Sequence, residues 1–447
     1  MKAKKKTPPS SLFRRTSLLL GTGASVLSKE LGSLALHQFQ KNKEQLIKNT
    51  RLEQIKIITT TLSHLKGSAM KFGQILSLEA QDILPPEALE ILAVLQKNAT
   101  PIDNFVLFDV IQQELGEQKL QQLNIVPLPI DAASIGQVYL GNLKDKAVAI
   151  KVQYPEIAKS ISSDLSLMRK IAPTLLSLLG KHIDIQDLLS EIEMVFQLET
   201  DYKREASLLS LYQEMLKHDP RFLVPTPITE YSTDKVLTME FVEGVTLREW
   251  ILQGPSLEQR SKIGQAIVDL YITEFFQHGL VQTDPNLANF LIQEQPQGLK
   301  LVLLDCGAVL KYKAEFIQLY RKLVQIMLSE SDANIIQFCE KNNLLDNREP
   351  LQSKSLFIEM IRASILPFQE NQQPFRFSDK DYSLQLKKAV VNFSRAAKYT
   401  KPRNDFVFLH RKLGGVFHIL KMLDLDLNLT PFWQQAMTLE FKDENKV

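Results

Sequence analysis

A change of hydrophobic period near residue 130 constrains the fold of this chain more than any other feature. Before it, over residues 31–76 and 103–124, apolar residues recur at helical spacing with few Gly or Pro. After it, residues 134–143 and 146–153 are rich in β-branched residues that alternate with small or polar ones. The sequence therefore predicts an all-α first quarter followed by strands of a half-buried sheet.

The remainder of the chain predicts helices again, interrupted by a few strands. Helical patterns run from about residue 155 to 217, and a strand is predicted near residues 235–242. Further on, residues 289–293 and 299–305 flank Glu294-Gln295-Pro296-Gln297-Gly298 and predict a hairpin. A small sheet followed by a helical lobe that contains one hairpin is an α+β arrangement, and it is the layout of the two-lobe kinase fold.

Composition excludes several classes of protein. With 44% apolar and 23% charged residues in 447 positions, the chain is predicted to be globular rather than disordered. The formal net charge of +2 gives no basis for wrapping nucleic acid. Cys306 and Cys339 are the two cysteines, which favours a reducing compartment without disulfides. The seven histidines show no metal-ligand spacing and are interpreted as surface or packing residues, and the Phe and Leu stripes of the last third as core.

The N-terminus combines basic and apolar residues. Residues 1–15 carry six Lys or Arg and no acid, and residues 17–27 are mostly small or apolar. This resembles an export signal, but the apolar run is shorter than the roughly 20 residues that span a bilayer. We predict instead a peripheral contact with anionic lipid on the inner, cytoplasmic face of a membrane. A frayed solubilising tail is the alternative.

Three polar positions occur in the order that phosphoryl transfer requires. Lys151 lies on a predicted strand, where in kinases a lysine meets the ATP phosphates, although a lysine on an alternating strand is commonplace. Asp284 precedes Asn289 by five residues, the kinase spacing of a catalytic Asp and a metal-binding Asn. Asp305 directly follows a predicted strand, at a turn where a carboxylate can hold Mg²⁺. Together they predict a magnesium–nucleotide site.

Several motifs also resemble those of the UbiB/AarF family of atypical kinase-like proteins. They are Lys71-Phe72-Gly73-Gln74, Ala132-Ala133-Ser134-Ile135-Gly136-Gln137-Val138, Lys151, Glu199-Thr200-Asp201 with Glu205, Asp284-Pro285 to Asn289, and Asp305. The resemblance runs from about residue 14 to residue 433. The forms Gln282-Thr283-Asp284 and Phe408-Leu409-His410-Arg411-Lys412-Leu413-Gly414-Gly415 are similar to the branch that contains the mitochondrial coenzyme Q proteins.

The resemblance implies ATP or ADP and Mg²⁺ as ligands and assigns their residues. Lys151 would contact phosphates and pair with Glu205, Asn289 and Asp305 would hold Mg²⁺, and Asp284 would be the catalytic aspartate. The remaining nucleotide-binding positions that it implies are Ala133, Ser134, Gly136, Glu240 and Val242. The Ala-rich loop would replace a glycine-rich loop over the phosphates, and because alanine restricts the backbone, this nucleotide cover should be stiffer.

The resemblance also implies a regulatory extension. An all-α N-terminal segment would pack over the active-site cleft, where Lys71 would approach Glu199. Gln74 and Asp201 are the other residues that the resemblance assigns to this extension. The predicted domains are a membrane-associating tail over residues 1–30, the helical extension over 31–122, a kinase-like N-lobe with a helical insertion over 123–244, and a mostly helical C-lobe over 245–447.

Three features of the sequence depart from the family pattern. Asp131 stands where the alanine run usually begins and either faces solvent, the preferred interpretation, or adds a negative charge near the phosphates. Cys306 replaces the usual Phe after the metal-binding Asp, which alters packing but leaves the carboxylate in place. No His-Arg precedes Asp284, because Gln282-Thr283 occupies those positions.

Three functions follow as hypotheses. The preferred one is an atypical kinase or ATPase that supports ubiquinone biosynthesis and acts on, or is coupled to, a lipid-like quinone precursor at a membrane, with other enzymes of that pathway as candidate partners. The second is a nucleotide-sensing scaffold or lipid-binding accessory protein without turnover. The third is a protein kinase acting in trans, which is disfavoured because residues 307–325 lack Ala-Pro-Glu and leave little room for an activation loop. The phosphoryl acceptor and the oligomeric state stay open.

Overall fold

The structure is a computed structural model, and it divides the chain into two compact units. It describes residues 104–132, 135–155, 196–284, 286–401 and 403–442, with seven further residues between 165 and 194. The first unit holds the described residues up to Ser210 together with Thr226–Phe241, and the second holds Leu211–Pro225 and the residues from Val242 onward. The predicted basic tail, the helical extension up to residue 103 with Lys71 and Gln74, and most of the residues predicted as helical between 155 and 195 lie outside the described residues.

The first unit is built on a four-stranded antiparallel sheet in the order β1-β2-β3-β5. Its elements are helices α1 (Asn104–Leu115) and α2 (Glu117–Gln122), strands β1 (Pro129–Ala132), β2 (Gly136–Leu143), β3 (Lys146–Gln153) and β5 (Val236–Glu240), and the first part of α3 (Tyr202–Leu216). Strand β3 has the predicted bounds, but the prediction of a half-buried sheet is wrong there, because every residue from Val148 to Gln153 is buried.

Both faces of β3 are buried, and the polar residues on its second face form hydrogen bonds and an ion pair within the protein. Gln153 Nε2 donates to the carbonyl oxygens of Thr200 at 2.7 Å and Asp234 at 3.1 Å, and Lys151 pairs with a glutamate of α3. Period-2 alternation identified the strand correctly, but it cannot tell solvent from a polar face that is buried and hydrogen-bonded.

The second unit is mostly helical and contains three small sheets. Strands β4 (Phe222–Leu223), β6 (Val245–Thr246), β8 (Phe290–Gln295) and β9 (Gly298–Leu303) form one sheet in the order β4-β9-β8-β6, β7 (Leu280–Gln282) pairs with β10 (Val309–Lys311), and β11 (Phe375–Arg376) pairs with β12 (Asp426–Leu427). Its helices are α4 (Leu247–Leu252), α5 (Leu257–Ile272), α6 (Ala314–Ser329), α7 (Asp332–Lys341), α8 (Leu351–Ile365), α9 (Lys380–Ala396), α10 (Asn404–Met422) and α11 (Thr430–Thr438).

The predicted hairpin is confirmed with a tighter turn. Residues Gln295 and Gly298 still pair, so only Pro296 and Gln297 form the loop, and Gly298 has a φ of 135° that other residues rarely adopt. Strand β10 was not predicted and separates the turn after Asp305 from α6.

A π-helical segment, Thr273–His278, continues α5 into the centre of the second unit. It buries Phe275 and Phe276, whose ring centroids are 4.8 Å apart and close to edge-on. Phe275 also meets the ring of Tyr320 on α6 at 5.3 Å. These aromatic contacts fix the position of the chain as it enters β7, directly before Asp284.

Candidate nucleotide and metal site

In the first unit, Lys151 forms a buried ion pair with Glu205. Its Nζ lies 2.9 Å from Glu205 Oε1 and 3.1 Å from Oε2. Lys151 projects from the central strand β3, Glu205 from the first turn of α3, and the ring of Tyr202 lies with its centroid 5.1 Å from Nζ. The pairing predicted from the resemblance is present. A charge pair that is so completely desolvated holds the lysine in one position, where it can meet an anion.

The loop before β2 is described only in part, because Ala133 and Ser134 lie outside the described residues. Gly136 is buried, and a Cβ at this position would stand 2.2 Å from the carbonyl oxygen of Val152 on β3. The close approach of β2 and β3 therefore requires glycine here. This requirement is independent of any contact between Gly136 and a nucleotide. The neighbouring Gln137 is also buried, and its Oε1 accepts a hydrogen bond from Tyr139 Oη at 2.9 Å.

Glu240 and Val242 lie where β5 ends. The Glu240 backbone N–H donates to Thr226 O at 2.9 Å, and its Oε2 accepts from Thr226 Oγ1 at 3.2 Å. Val242 is half-buried and is the residue at which the chain continues into the second unit. These contacts explain the end of the strand, and the nucleotide-binding role of both residues stays a prediction.

Of the four predicted regulatory residues, the structure describes two, Glu199 and Asp201. Glu199 is buried, and Asp201 is exposed at the start of α3, where its Oδ1 accepts from the Arg204 backbone N–H at 2.9 Å. That contact is a helix cap, which gives Asp201 a structural role of its own. Because Lys71 and Gln74 lie outside the described residues, their approach to Glu199 stays a prediction. Asp131 is exposed on β1, consistent with its preferred interpretation.

In the second unit, a hairpin brings the predicted metal ligands together. Strands β8 and β9 pair Phe290 with Leu303, so Asn289 and Asp305 flank the same end of the hairpin, and Leu304 N donates to Asn289 O at 3.0 Å. Asn289 Nδ2 donates to Asp284 Oδ2 at 3.2 Å. Asp305 Oδ1 accepts from the Gly307 backbone N–H at 2.7 Å, which orients that carboxylate. The three residues thus belong to one hydrogen-bonded assembly.

Gln282 holds this assembly together, and sequence reasoning missed its role. Its buried side chain donates from Nε2 to Asp305 O at 2.6 Å and accepts at Oε1 from Asp284 N at 3.2 Å. The next residue, Thr283, binds Ala308 O through both its backbone N–H and its Oγ1. The sequence associates Gln282-Thr283 with a family branch and with a departure from His-Arg, but it does not predict these contacts. The side-chain amide of glutamine carries both a donor and an acceptor, so Gln282 can bind the Asp305 carbonyl and the Asp284 N–H at the same time.

A second buried ion pair lies behind this assembly. Lys412 Nζ is 2.8 Å from Glu274 Oε2, and Tyr212 Oη donates to Glu274 Oε1 at 3.0 Å. Burial raises the pKa of Glu274, while the charge and hydrogen bond of Lys412 oppose that rise. The Gln282 backbone N–H lies 3.5 Å from Glu274 Oε1. Lys412 belongs to the motif over 408–415 that the sequence used only to choose a family branch, and the structure shows that it is a buried charge.

The oxygen donors fit Mg²⁺. A carboxylate at Asp305 and an amide at Asn289 are hard ligands of the type that Mg²⁺ prefers. No group of three or more His, Cys, Asp or Glu residues that could enclose a metal occurs in the described part of the chain. A magnesium ion held by these two residues would therefore take its other ligands from phosphate oxygens and water, as nucleotide-bound Mg²⁺ commonly does.

Comparison with known proteins identifies the family. The model of the ABC1 atypical kinase-like domain matches residues 94–339. The atypical kinase COQ8 of Saccharomyces cerevisiae, a mitochondrial protein, is 30% identical over 411 residues, which cover 91% of this chain and 80% of the yeast protein. The mitochondrial atypical kinase COQ8B of Rattus norvegicus is 28% identical over 428 residues, covering 92% of this chain and 78% of the rat protein.

Solved structures agree with the sequence matches. The structure of Rv3197 from Mycobacterium tuberculosis in complex with erythromycin superposes with a TM-score of 0.57 at 26% identity, covering 86% of this chain and 95% of that one. The fold is thus the predicted α+β, kinase-like one, and the class of protein that fold and site define is an atypical kinase-like protein. This chain belongs to the ABC1 family, also called UbiB/AarF, as the sequence motifs predicted. None of the described helices is long and apolar enough to cross a membrane.

Proposed function

We propose that this protein is an atypical kinase or ATPase that binds Mg-ATP and supports ubiquinone biosynthesis. The observation that carries the proposal is the hydrogen-bonded assembly of Asp284, Asn289 and Asp305, in which the Asn289 amide donates to the Asp284 carboxylate and Gln282 links the backbones of Asp284 and Asp305. The COQ8 proteins that resemble this chain over most of its length support the assignment to the coenzyme Q branch.

The residues proposed in each of the two units would have the following roles. Lys151, fixed by Glu205, would neutralise charge on the phosphates, and Asn289 with Asp305 would hold Mg²⁺. Bound Mg²⁺ would offset charge on the β- and γ-phosphate oxygens. Asp284 would orient the acceptor hydroxyl and receive its proton, while the Asn289 amide, which donates to its Oδ2, keeps the carboxylate in position.

We propose a lipid-like quinone precursor as the acceptor or coupled ligand rather than a peptide. Only Tyr312 and Lys313 separate β10 from α6, and eight residues separate Asp305 from the first residue of α6. Protein kinases use a longer segment at this point to dock peptides. The runner-up function is a nucleotide-sensing scaffold, which would use the same ligands without turnover.

Two variants test the proposal and separate it from the scaffold. Asp305→Asn should weaken Mg-nucleotide binding roughly tenfold or more, about 1.4 kcal/mol, because Mg²⁺ loses a charged ligand. Asp284→Asn should leave Mg-ATP affinity within about threefold but abolish phosphate release, since its role is in the chemical step. Both are measured by calorimetric titration and phosphate release, in the presence and absence of a phenolic quinone-precursor analogue.

Asp381→Asn, an exposed carboxylate on α9, is the matched control. Unchanged Mg-nucleotide affinity in folded Asp305→Asn would contradict the metal-ligand assignment. Measurable nucleotide binding with no phosphate release by the wild type under any condition would instead favour the scaffold.

We also propose that residues 1–30 attach the protein to the inner face of a membrane, because their basic cluster and apolar segment are adjacent in the sequence. Removal of residues 1–30 should reduce co-sedimentation with anionic vesicles and leave Mg-nucleotide affinity intact. Equal sedimentation of both forms would place the membrane contact elsewhere in the chain.

A further inference from the structure

The second unit contains a large apolar cavity that none of the proposed roles uses. It has a volume of about 440 Å³, is partly open, and lies among α5, α6, α8, α9, α10 and α11. Protein interiors are packed as densely as organic crystals, so a void that could hold many water molecules is uncommon in a helical core. Cavities of about 300–1,000 Å³ with apolar walls are the usual form of small-molecule sites.

The cavity wall is aromatic on one side. Trp433 lies with its ring centroid 5.8 Å from that of Phe276 and 5.8 Å from that of Phe368, in both cases edge to face. Phe368 in turn contacts Phe417 at 6.2 Å. These rings hold one another in place and leave faces and edges for a further ring, which suits a flat hydrocarbon.

No charged side chain lines the cavity, all of whose lining residues belong to the described part of the chain. A nucleotide, a phosphate or a carboxylate would therefore lose its hydration there without gaining a countercharge. The chemistry of the wall restricts the occupant to a neutral molecule.

His410 supplies the polar contact. Its imidazole makes no hydrogen bond within the described residues and keeps much accessible surface, although protein atoms crowd it and lower its pKa to about 4. It packs against the rings of Tyr320 at 5.9 Å and Phe406 at 5.6 Å. A neutral imidazole has one donor and one acceptor nitrogen, and a hydroxyl can use either.

We propose that this cavity binds a neutral, mostly hydrocarbon molecule with a hydroxyl-bearing ring, whose hydroxyl hydrogen-bonds His410 while its ring packs against Trp433 and Phe368. The proposal does not depend on nucleotide turnover, because Asp284, Asn289 and Asp305 do not line the cavity.

Three probes of the same shape test it by equilibrium dialysis against the full chain: 2-naphthol, naphthalene and 2-naphthalenesulfonate. We expect 2-naphthol to bind about tenfold more tightly than naphthalene, as one desolvated hydrogen bond would give. The sulfonate should not bind measurably. Binding of the sulfonate as tight as that of 2-naphthol, or no binding of either neutral arene up to its solubility, would overturn the proposal.

Two variants locate the binding. His410→Phe keeps a ring and removes both nitrogens, so it should reduce 2-naphthol affinity to that of naphthalene and leave naphthalene affinity unchanged. Gly414→Phe places a ring in the cavity without a backbone clash, since a Cβ at Gly414 would meet no atom within 4 Å. It should abolish binding of both arenes while the melting temperature and Mg-nucleotide affinity stay at wild-type values.

Each variant can contradict the proposal separately. Equal loss of naphthalene and 2-naphthol affinity in His410→Phe would refute the hydrogen bond, and unchanged affinities in folded Gly414→Phe would place the arenes outside this cavity.

Discussion

The described part of the protein contains two buried Lys–Glu pairs, one in each unit, and their surroundings differ. Lys151 is 8% exposed and faces Glu205 and the ring of Tyr202, whereas Lys412 is 4% exposed and faces Glu274, which is fully enclosed and also hydrogen-bonded by Tyr212. A buried pair adds little net stability, but loss of one member leaves a buried charge alone. A buried Lys–Glu pair can therefore either position a lysine to bind an anion or stabilise the packing of a core. The other contacts of the pair determine which role it has.

The largest effect is expected from Lys412→Met. It leaves the Glu274 carboxylate in an apolar core without a countercharge, so the free energy of unfolding of the second unit should fall by about 3–5 kcal/mol. Urea denaturation followed by tryptophan fluorescence measures this, with Lys421→Met on the exposed face of α10 as the control. The double variant Lys412→Met with Glu274→Leu should recover most of the loss. A loss below about 1 kcal/mol in the single variant would show that the pair is not structural.

A different result is expected from Lys151→Met. The free energy of unfolding should fall less than in Lys412→Met, because Glu205 lies in the first turn of α3, where the helix dipole stabilises a carboxylate. Mg-ATP affinity should fall roughly tenfold, about 1.4 kcal/mol, because the phosphates lose their cation. Lys146→Met, at the exposed start of the same strand, should change neither quantity. If Lys151→Met instead lowers stability as much as Lys412→Met and leaves nucleotide affinity intact, the distinction between the two pairs is wrong.

Another buried carboxylate, Glu349, sharpens the comparison because its partners are backbone N–H groups and not a lysine. Burial alone would raise its pKa, but the backbone N–H groups of Thr400, Tyr399 and Lys398 outweigh that effect and lower the pKa to about 2. Its contribution to stability is thus present above the unfolded-state pKa of about 4.3 and is lost as the pH falls toward 2. Glu349→Gln should flatten this part of the stability–pH curve, and Glu359→Gln on α8 should not. Parallel curves for wild type and Glu349→Gln would contradict this assignment.

The sequence predicted the parts of the site that lie on regular elements. Strand β3, the β8–β9 hairpin and the positions of Asp284, Asn289 and Asp305 relative to them follow from period, turn residues and spacing. The role of Gln282 did not, because its two hydrogen bonds reach residues in separate loops whose proximity depends on the pairing of β7 with β10. Strands of two or three residues carry too little periodicity to be recognised.

Lys412 and the aromatic cavity show a second limit. A lysine in a helix is expected at the surface, and nothing local distinguishes Lys412 from Lys421 until Glu274, more than a hundred residues earlier, is brought against it. In the same way, the aromatic and leucine-rich stripes of the last third were predicted to be core. Many of these side chains are buried, but some of them surround a cavity rather than filling it, and His410, predicted as a surface or packing residue, faces that cavity.

The directions of the side chains after the π-helical segment Thr273–His278 depend on how many residues the segment contains. In an α-helix each residue advances about 100° around the axis. A wider turn changes that phase for everything beyond it, so Phe276 and His278 keep their present directions relative to α5 only while the segment keeps its present number of residues. Deletion of one residue here would rotate the following side chains by about a quarter turn, whereas a same-length substitution that keeps Glu274 would preserve their directions. Within this stretch, selection is therefore expected to tolerate changes of residue type far more readily than insertions or deletions.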